Sequence, residues 1–402
     1  MSDMIMYPFR QNTEFHYFSG FLESDSALLI MSKHTGDGLR AESVLFVPKR
    51  TPNNENWEVR KSGAEGAHEI TGVEEAYNIC ELDLFLERYC TQKSDFVVWC
   101  DQDKIPTNKT LGPVVKDMMT QNNVKLAPMS INVLMHAIRA IKSPAEIGLM
   151  KKSVEIASEA MTEIIKSSYP GVKESYLYAK MEFECRIRDA QFLAYIPVVA
   201  GGNRANIIHY TSNNQIVNDG ELVLMDAGCE YNGYTSDLTR TWPVSGKFSP
   251  AQRRLYDIVL RVQRECIKAS TVHNSLQDLY NLMLSLLGCE LQQIGFVDQH
   301  LDKDALKRAA TKFCAHHVGH YLGMDVHDTP KASRQQKLQP GMIITIEPGL
   351  YISEDNLNVP EEYRGNGIRI EDNVLITDKE PVVLSSMLPK DPDEIEALMA
   401  RS

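Results

Sequence analysis

Two hydrophobic patterns alternate along the chain. Short apolar runs at Ala27–Met31, Val44–Val47 and Phe96–Cys100 predict strands, and Glu74–Arg88 repeats apolar residues at helical spacing. The polar stretch Lys49–Gly66 between them reads as a loop. This first part is a small α/β unit. Near residue 140 the pattern changes. Ser143-Pro-Ala-Glu146 is a capping box with proline at the first helical position, and it opens a helix expected to run to about Ser168, where Tyr-Pro-Gly stops it. A second helix is expected over Lys173–Asp189. Strand-like runs follow at Leu193–Val199, Leu222–Asp226, Tyr234–Pro243, Met342–Glu347 and Gly367–Thr377. Helices interrupt them: one opened by the capping box Ser249-Pro-Ala-Gln252, then Ser275–Ile294 and Lys303–Cys314. Paired strands with helices in blocks predict an α+β domain with a largely antiparallel sheet. We therefore expect two domains, 1–141 and 142–402.

Composition narrows the function classes. The 402 residues are 43% apolar and 24% charged, ordinary for a globular protein. A net charge of −12 argues against nucleic acid as a partner. No apolar run reaches the ~18 residues of a membrane-spanning helix, so no membrane partner is expected. The eight cysteines form no C-x-x-C pair and read as free thiols of a reducing compartment. The segment Met1–Arg10 is neither a signal peptide nor an Arg-rich transit peptide, so we expect either a cytosolic chain or one whose leader has been removed. Gly246-Lys247 lacks the upstream glycine of a phosphate loop, Asn108-Lys-Thr110 has no secretory context for glycosylation, and Lys151-Lys152 and Arg253-Arg254 read as solvated helix faces.

The informative residues are five metal-type side chains at the ends of strand-like runs. They lie in Leu-Met-Asp226-Ala-Gly, Thr-Ser-Asp237-Leu-Thr-Arg, His316-His-Val-Gly-His320, Ile-Thr-Ile-Glu347-Pro-Gly and Ile-Arg369-Ile-Glu371-Asp. A carboxylate in an apolar strand is costly unless paired or bound to a cation. Singly, each has a blander reading: a turn aspartate, a core histidine, a surface ion pair, a strand end. Together they favour a shared cation. Asp226 and Asp237 flank the hairpin signal Asn232-Gly233 and are 11 positions apart, which puts both on one side of a two-residue-turn ribbon. Four carboxylates and an imidazole suit two hard or borderline divalent ions such as Mn²⁺.

On these residues the chain resembles the metallopeptidases of pita-bread fold, the family of aminopeptidase P, prolidase and methionine aminopeptidase. The resemblance covers about 140–390 and implies that Asp226, Asp237, His320, Glu347 and Glu371 hold two metal ions. Ile207-Ile-His209-Tyr and His316-His317-Val-Gly-His320-Tyr-Leu-Gly-Met-Asp-Val-His327-Asp are similar to the aminopeptidase P signature. Arg369 and Tyr351 also match that branch. Tyr7-Pro-Phe-Arg-Gln-Asn-Thr-Glu-Phe-His-Tyr-Phe-Ser-Gly-Phe21 resembles its creatinase-like N-terminal domain, which methionine aminopeptidases lack. With Pro197–Asn203 and Arg364–Glu371, the pattern is most like the mitochondrial branch that includes intermediate-cleaving peptidases. Relatives carry a longer segment ahead of Tyr7, so the N-terminal sheet is expected to be short of an edge strand.

The resemblance implies an α+β architecture with a pita-bread domain behind a smaller α/β domain. It implies release of the N-terminal residue from peptides with proline second, by a hydroxide shared between two ions, most suitably Mn²⁺. Asp226 and Glu371 would bridge both ions, Asp237 would complete one site, and His320 and Glu347 the other. Glu347 would act as base, and His327 would steady the carbonyl oxygen. His209 and His316 would hold the second residue, and Arg369 and Tyr351 would belong to the substrate-binding shell. Peptides and a homodimer are the implied partners, and the mitochondrion the implied location, with the cytoplasm open. The alternatives are presequence trimming without a proline requirement, a prolidase-type dipeptidase, and a non-catalytic binding module.

Overall fold

The computed structural model describes residues 8–51, 59–93, 96–100, 111–120 and 124–400. The start of the Tyr7–Phe21 segment, part of the 49–66 loop and the Asn108 sequon lie outside them. The chain divides into two compact units, Met1–Met135 and His136–Ser402.

The first unit runs α1 (Thr13–Ser19), β1 (Ala27–Thr35), β2 (Gly38–Val47), α2 (Gly63–Thr71), β3 (Glu75–Asn78), α3 (Leu82–Gln92), β4 (Phe96–Val98), α4 (Leu111–Thr120) and β5 (Val124–Leu126). The next helix, α5 (Asn132–Ala140), contains the division. Strand β2 pairs antiparallel with β1 and parallel with β3. Its alternate residues enter two separate clusters: Leu45 and Val47 pack with Phe21, Ala67 and Val73, and Val44 and Phe46 with Leu82 and Leu86. A strand buried on both faces needs an unbroken apolar run, which is what the sequence shows there. The helix expected over Glu74–Arg88 forms only from Leu82. Ala76 and Tyr77 pair instead with Leu45 and Phe46, because a vacant edge beside a doubly buried strand outweighs local helical spacing.

The second unit runs α6 (Pro144–Lys166), α7 (Glu174–Arg186), β6 (Phe192–Leu193), β7 (Val198–Gly201), β8 (Leu222–Ala227), β9 (Cys229–Tyr231), β10 (Tyr234–Thr235), β11 (Leu238–Pro243), α8 (Pro250–Lys268), α9 (Leu276–Gln293), α10 (Lys303–Ala310), β12 (Ile343–Ile346), β13 (Gly349–Ile352), β14 (Asn366–Arg369), β15 (Asp372–Leu375), β16 (Val382–Val383) and α11 (Pro392–Met399). Both predicted capping boxes form: Ser143 Oγ accepts from Glu146 N, and Ser249 Oγ from Gln252 N. Every strand pairing in this unit is antiparallel. A single large core joins the inner faces of α6, α8 and α9 to these strands. All eight cysteines are free.

The strands are shorter than the sequence suggests. The run Tyr234–Pro243 breaks at Ser236-Asp237, Gly367–Thr377 breaks at Ile370-Glu371, and Leu193–Val199 is regular only at its ends. Each break is a place where the backbone leaves one ladder and joins another. Glycine permits the closest crossings. A Cβ on Gly228 would lie 1.7 Å from the Ser236 carbonyl oxygen, and one on Gly319 would lie 1.9 Å from that of Thr345.

One buried ion cluster ties the last strands to a helix. Asp372 on β15 accepts from Arg240 on β11 at 2.8 Å, from Gln263 on α8 at 2.7 Å, from Ser385 at 2.7 Å, and from Lys390. Burial would raise the Asp372 carboxyl, but the Arg240 and Lys390 charges hold it well below the usual carboxylate range. A depressed pKa stabilises the fold above the unfolded value, about pH 4, and that contribution is lost as pH falls below it. Asp372→Asn should therefore cost about 3–5 kcal/mol at neutral pH, by leaving a buried arginine short of its partner. It should also flatten the fall in stability on the acid side, measured by urea unfolding between about pH 3 and 6. Parallel pH profiles for the two proteins would refute this account.

Candidate active site

The breaks described above bring carboxylates to one cluster. Asp226 sits inside β8, opposite Thr239 of β11. Beyond it the ribbon continues through β9 and β10 in the same register, closed by Asn232 (φ 47°) and Gly233 (φ 83°). Those two positive φ angles are what a two-residue hairpin turn requires. Asp237 falls in the break and lies on the same side as Asp226, as the spacing predicts. Asn373 fixes that break: its Oδ1 accepts from Asp237 N at 3.2 Å and its Nδ2 donates to Asp237 O. Glu371 falls in the break between β14 and β15, where its N–H reaches Thr239 O at 3.1 Å and its Oε2 accepts from Thr239 Oγ1 at 2.7 Å. Glu347 follows β12, anchored by its N–H to Val318 O at 2.8 Å.

His320 completes the set. Its Nδ1 faces the Tyr321 carbonyl at 3.0 Å, so Nδ1 carries the proton there and Nε2 faces Asp237 Oδ2 at 3.2 Å and Glu347 Oε1 at 3.5 Å. Thr345 Oγ1 accepts from His320 N at 3.0 Å and donates to Glu347 Oε1 at 3.2 Å. One ligand atom each from Asp237, His320 and Glu371 lies within 4.8 Å of the others, a spacing that suits a metal ion.

Electrostatics point the same way. Burial first, then the charges of Asp237, Glu347 and Asp226, push the Glu371 carboxyl well above its ordinary value. Burial also drives Glu347 up to about 7, with His320 opposing and Asp237 adding. Asp226 is raised by burial despite Arg369. Asp237 goes the other way: burial would raise it, but the His320 hydrogen bond brings it down. Burial would lower His320, yet Asp237 and Glu347 hold it up at about 9. Three carboxyls that resist ionising beside a fourth that is charged are a site short of positive charge. The donor set therefore fits divalent ions.

Two residues that sequence reasoning did not single out complete this framework. Tyr195, between β6 and β7, directs its hydroxyl at Asp226 Oδ1 (2.5 Å) and Asp237 Oδ1. Its single proton serves both carboxylates, and burial beside them keeps it protonated. Nothing marks it among the sixteen tyrosines of the sequence. Thr345 was hidden inside an apolar strand.

The structure places Arg369 behind the carboxylates, 2% exposed. It donates to Asp226 Oδ2 at 2.6 Å, Thr239 Oγ1 at 3.1 Å and Tyr351 Oη at 2.8 Å. Tyr351, already accepting from Arg369, donates to His316 Nε2 at 2.8 Å, and His316 Nδ1–H donates to the His317 carbonyl at 2.8 Å. Burial, then the Arg369 charge, pushes His316 down to about 4. His316 is thus neutral with both nitrogens occupied, and only its carbon edge is left to meet a ligand.

His327 and His209 are exposed. The His327 ring stands edge-on to His320 with centroids 4.5 Å apart. The next residue, Asp328, is buried and pairs with Arg139 and with Lys142 at 3.1 Å. Thr329 follows at φ 47°, a conformation that costs a β-branched residue about 1–3 kcal/mol. The ion cluster at Asp328 holds the His327 loop in that form.

Comparison with known proteins gives the same family throughout. The profile of Metallopeptidase family M24 matches residues 148–378, and that of the aminopeptidase P N-terminal domain matches 1–99. Human Xaa-Pro aminopeptidase 3 is 44% identical over 404 residues, covering all of this chain and 79% of its own length. Intermediate cleaving peptidase 55, mitochondrial, of Arabidopsis thaliana is 37% identical over 399 residues, covering 99% of this chain and 77% of its own. Zn-substituted aminopeptidase P of Escherichia coli, solved with product, superposes with a TM-score of 0.90 at 34% identity, covering all of this chain and 91% of that one.

An imidazole near 9 and a carboxyl near 7 must both lose protons to ligate a cation. Divalent-ion binding at about pH 6.5 should therefore release protons, and affinity should rise with pH until about 9. Calorimetry in buffers of different ionisation enthalpy reads the release directly. Equal heats in every buffer would mean that the donors were already deprotonated.

Proposed function

The chain belongs to Metallopeptidase family M24, and on that premise we propose that it is a metal-dependent aminopeptidase acting on peptides with proline in the second position. The observation that carries this reading is the convergence of four carboxyls, buried at Asp237 and Glu371 and half-buried at Asp226 and Glu347, and of His320 beside three histidines, His209, His316 and His327. The cluster depends on divalent ions. We take them to be two Mn²⁺, held by Asp226, Asp237, His320, Glu347 and Glu371, because the donors are oxygen and imidazole with no thiolate among them. When bound, such ions supply Lewis acidity and a lowered water pKa.

The chain's own residues do the rest. Glu347 accepts the attacking water's proton at neutral pH and returns it to the leaving nitrogen. Thr345 Oγ1 donates to that carboxylate, and the Glu347 N–H bonded to the Val318 carbonyl fixes the backbone that carries it. His327 donates to the scissile carbonyl oxygen as charge develops there. Asp237 accepts from the substrate's free amine, which limits cleavage to the first residue. Proline has no N–H and presents a fixed apolar ring. The carbon edge of His316, whose nitrogens are already occupied, suits that ring, and His209 stands beside it. Similarity to a protein named as mitochondrial supports that organelle as the location.

Two outcomes are expected. In Mn²⁺-loaded protein given equal amounts of Tyr-Pro-Ala-Ala and Tyr-Ala-Ala-Ala, tyrosine is released preferentially from the proline peptide. Faster release from the alanine peptide would move the function to presequence trimming. Glu347→Ala should lower kcat by about 10²–10⁴-fold, the range for loss of a general base, with the fold unchanged by circular dichroism. Near-normal turnover would remove Glu347 from the role of base.

A further inference from the structure

His209 is an exposed residue in a turn, and its ring makes no hydrogen bond among the described residues. Its place is therefore set by the backbone that carries it. That backbone, residues 201–215, is gathered around one side chain, Glu174 on the first turn of α7. Glu174 is fully buried. Its Oε1 accepts from Gly201 N at 3.1 Å and Arg204 Nε at 2.7 Å. Its Oε2 accepts from the Tyr210 hydroxyl at 2.9 Å and Gln215 N at 2.9 Å. Four donors fill four lone-pair positions, and all four come from the segment that contains His209.

The arrangement spans the segment from end to end. Gly201 closes β7 and Gln215 ends the segment, whose carbonyl in turn accepts from Glu174 N at 2.9 Å. Tyr210 is the neighbour of His209 in sequence. Ala205 and Tyr210 are buried with Leu224 of β8, two residues before Asp226, and Tyr351 packs on the same cluster. Arg204 also donates to the Ile216 carbonyl at 3.0 Å. Asn213 pins the other side, accepting from Val199 N at 2.9 Å and donating to Pro197 O at 2.8 Å.

We propose that Glu174 is a positioning residue for His209: one buried carboxylate fixes both ends of the 201–215 loop and so sets where that imidazole meets the second residue of the substrate. This rests on the reading of His209 as a substrate-contacting group. Among the described residues Glu174 makes no hydrogen bond or ion pair with the five candidate metal donors, so its effect is on substrate placement and not on metal content. A glutamine can accept through one oxygen only, and its amide would face donors on the other side. Glu174→Gln therefore loosens half of the loop while keeping the shape of the side chain.

The test combines exchange, metal content and a mutant cycle. In Glu174→Gln, hydrogen exchange across 201–215 should quicken while the Mn²⁺ content of the loaded protein stays at the wild-type value. The kcat/KM for Tyr-Pro-Ala-Ala should fall by about 10–100-fold, the usual effect of losing such a supporting contact. Adding His209→Ala to Glu174→Gln should then cost less than about threefold, because His209 is already misplaced. Full multiplication of the two single effects, or unchanged exchange, would overturn the proposal. Should Glu174→Gln fail to fold, Tyr210→Phe removes one donor and keeps the ring, and the same two readouts apply to it. If the wild type shows no preference for the proline peptide, the substrate reading fails. The exchange data then decide whether Glu174 holds the loop.

Discussion

Mutual repulsion among Asp226, Asp237, Glu347 and Glu371 is the constraint around which the second unit is arranged. Bringing four carboxyls into one largely buried site costs free energy that the protein's own groups meet only in part, through Arg369, His320 and the Tyr195 proton. The supporting elements each answer that cost. Strands are cut short so that Asp237, Glu347 and Glu371 leave their ladders where they are needed. Glycines stand where one backbone crosses another. Arg240 and Asp372, immediately beyond the donors, form a second buried charge cluster that locks the crossing of β11 and β15. Divalent cations are what the remaining negative charge calls for.

The same logic separates two kinds of histidine. His320 is drawn towards the carboxylates and would stay protonated without a metal. His316 is drawn into the Arg369–Tyr351 chain and stays neutral. One helps to balance charge, and the other offers an uncharged wall for an apolar ring. His209 and His327 are held indirectly, by the anchored backbone that carries each of them.

Much of this was legible in the sequence because its signals are local. The capping boxes at Ser143 and Ser249 and the Asn232-Gly233 turn each declare themselves within a few positions, and the five metal-type residues stand out only as a set. The breaks at Asp237 and Glu371 did not. An apolar run looks the same whether its strand is continuous or changes partner midway, since both halves are buried. The strand at Glu75–Asn78 was masked by helical spacing that only its neighbour β2 overrides. Tyr195, Thr345 and Glu174 were invisible for a related reason. Tyr195 and Glu174 act on groups distant in sequence, and Thr345 links its near neighbour Glu347 to the distant His320, a contact that nothing around it records.

The donor set also has a history within the lifetime of each molecule. Asp226 and Glu371 are separated by 145 residues, so on the ribosome the first waits for the last. At roughly 5–20 residues per second that delay is about 7–30 s. For most of it the first hairpin exists without Glu347, Arg369 or Glu371, and its two aspartates have neither their full complement of donors nor the arginine that neutralises Asp226. The centre is thus among the final parts of the protein to be completed, and a nascent chain halted before Arg369 presents an acidic ribbon in place of a finished pocket.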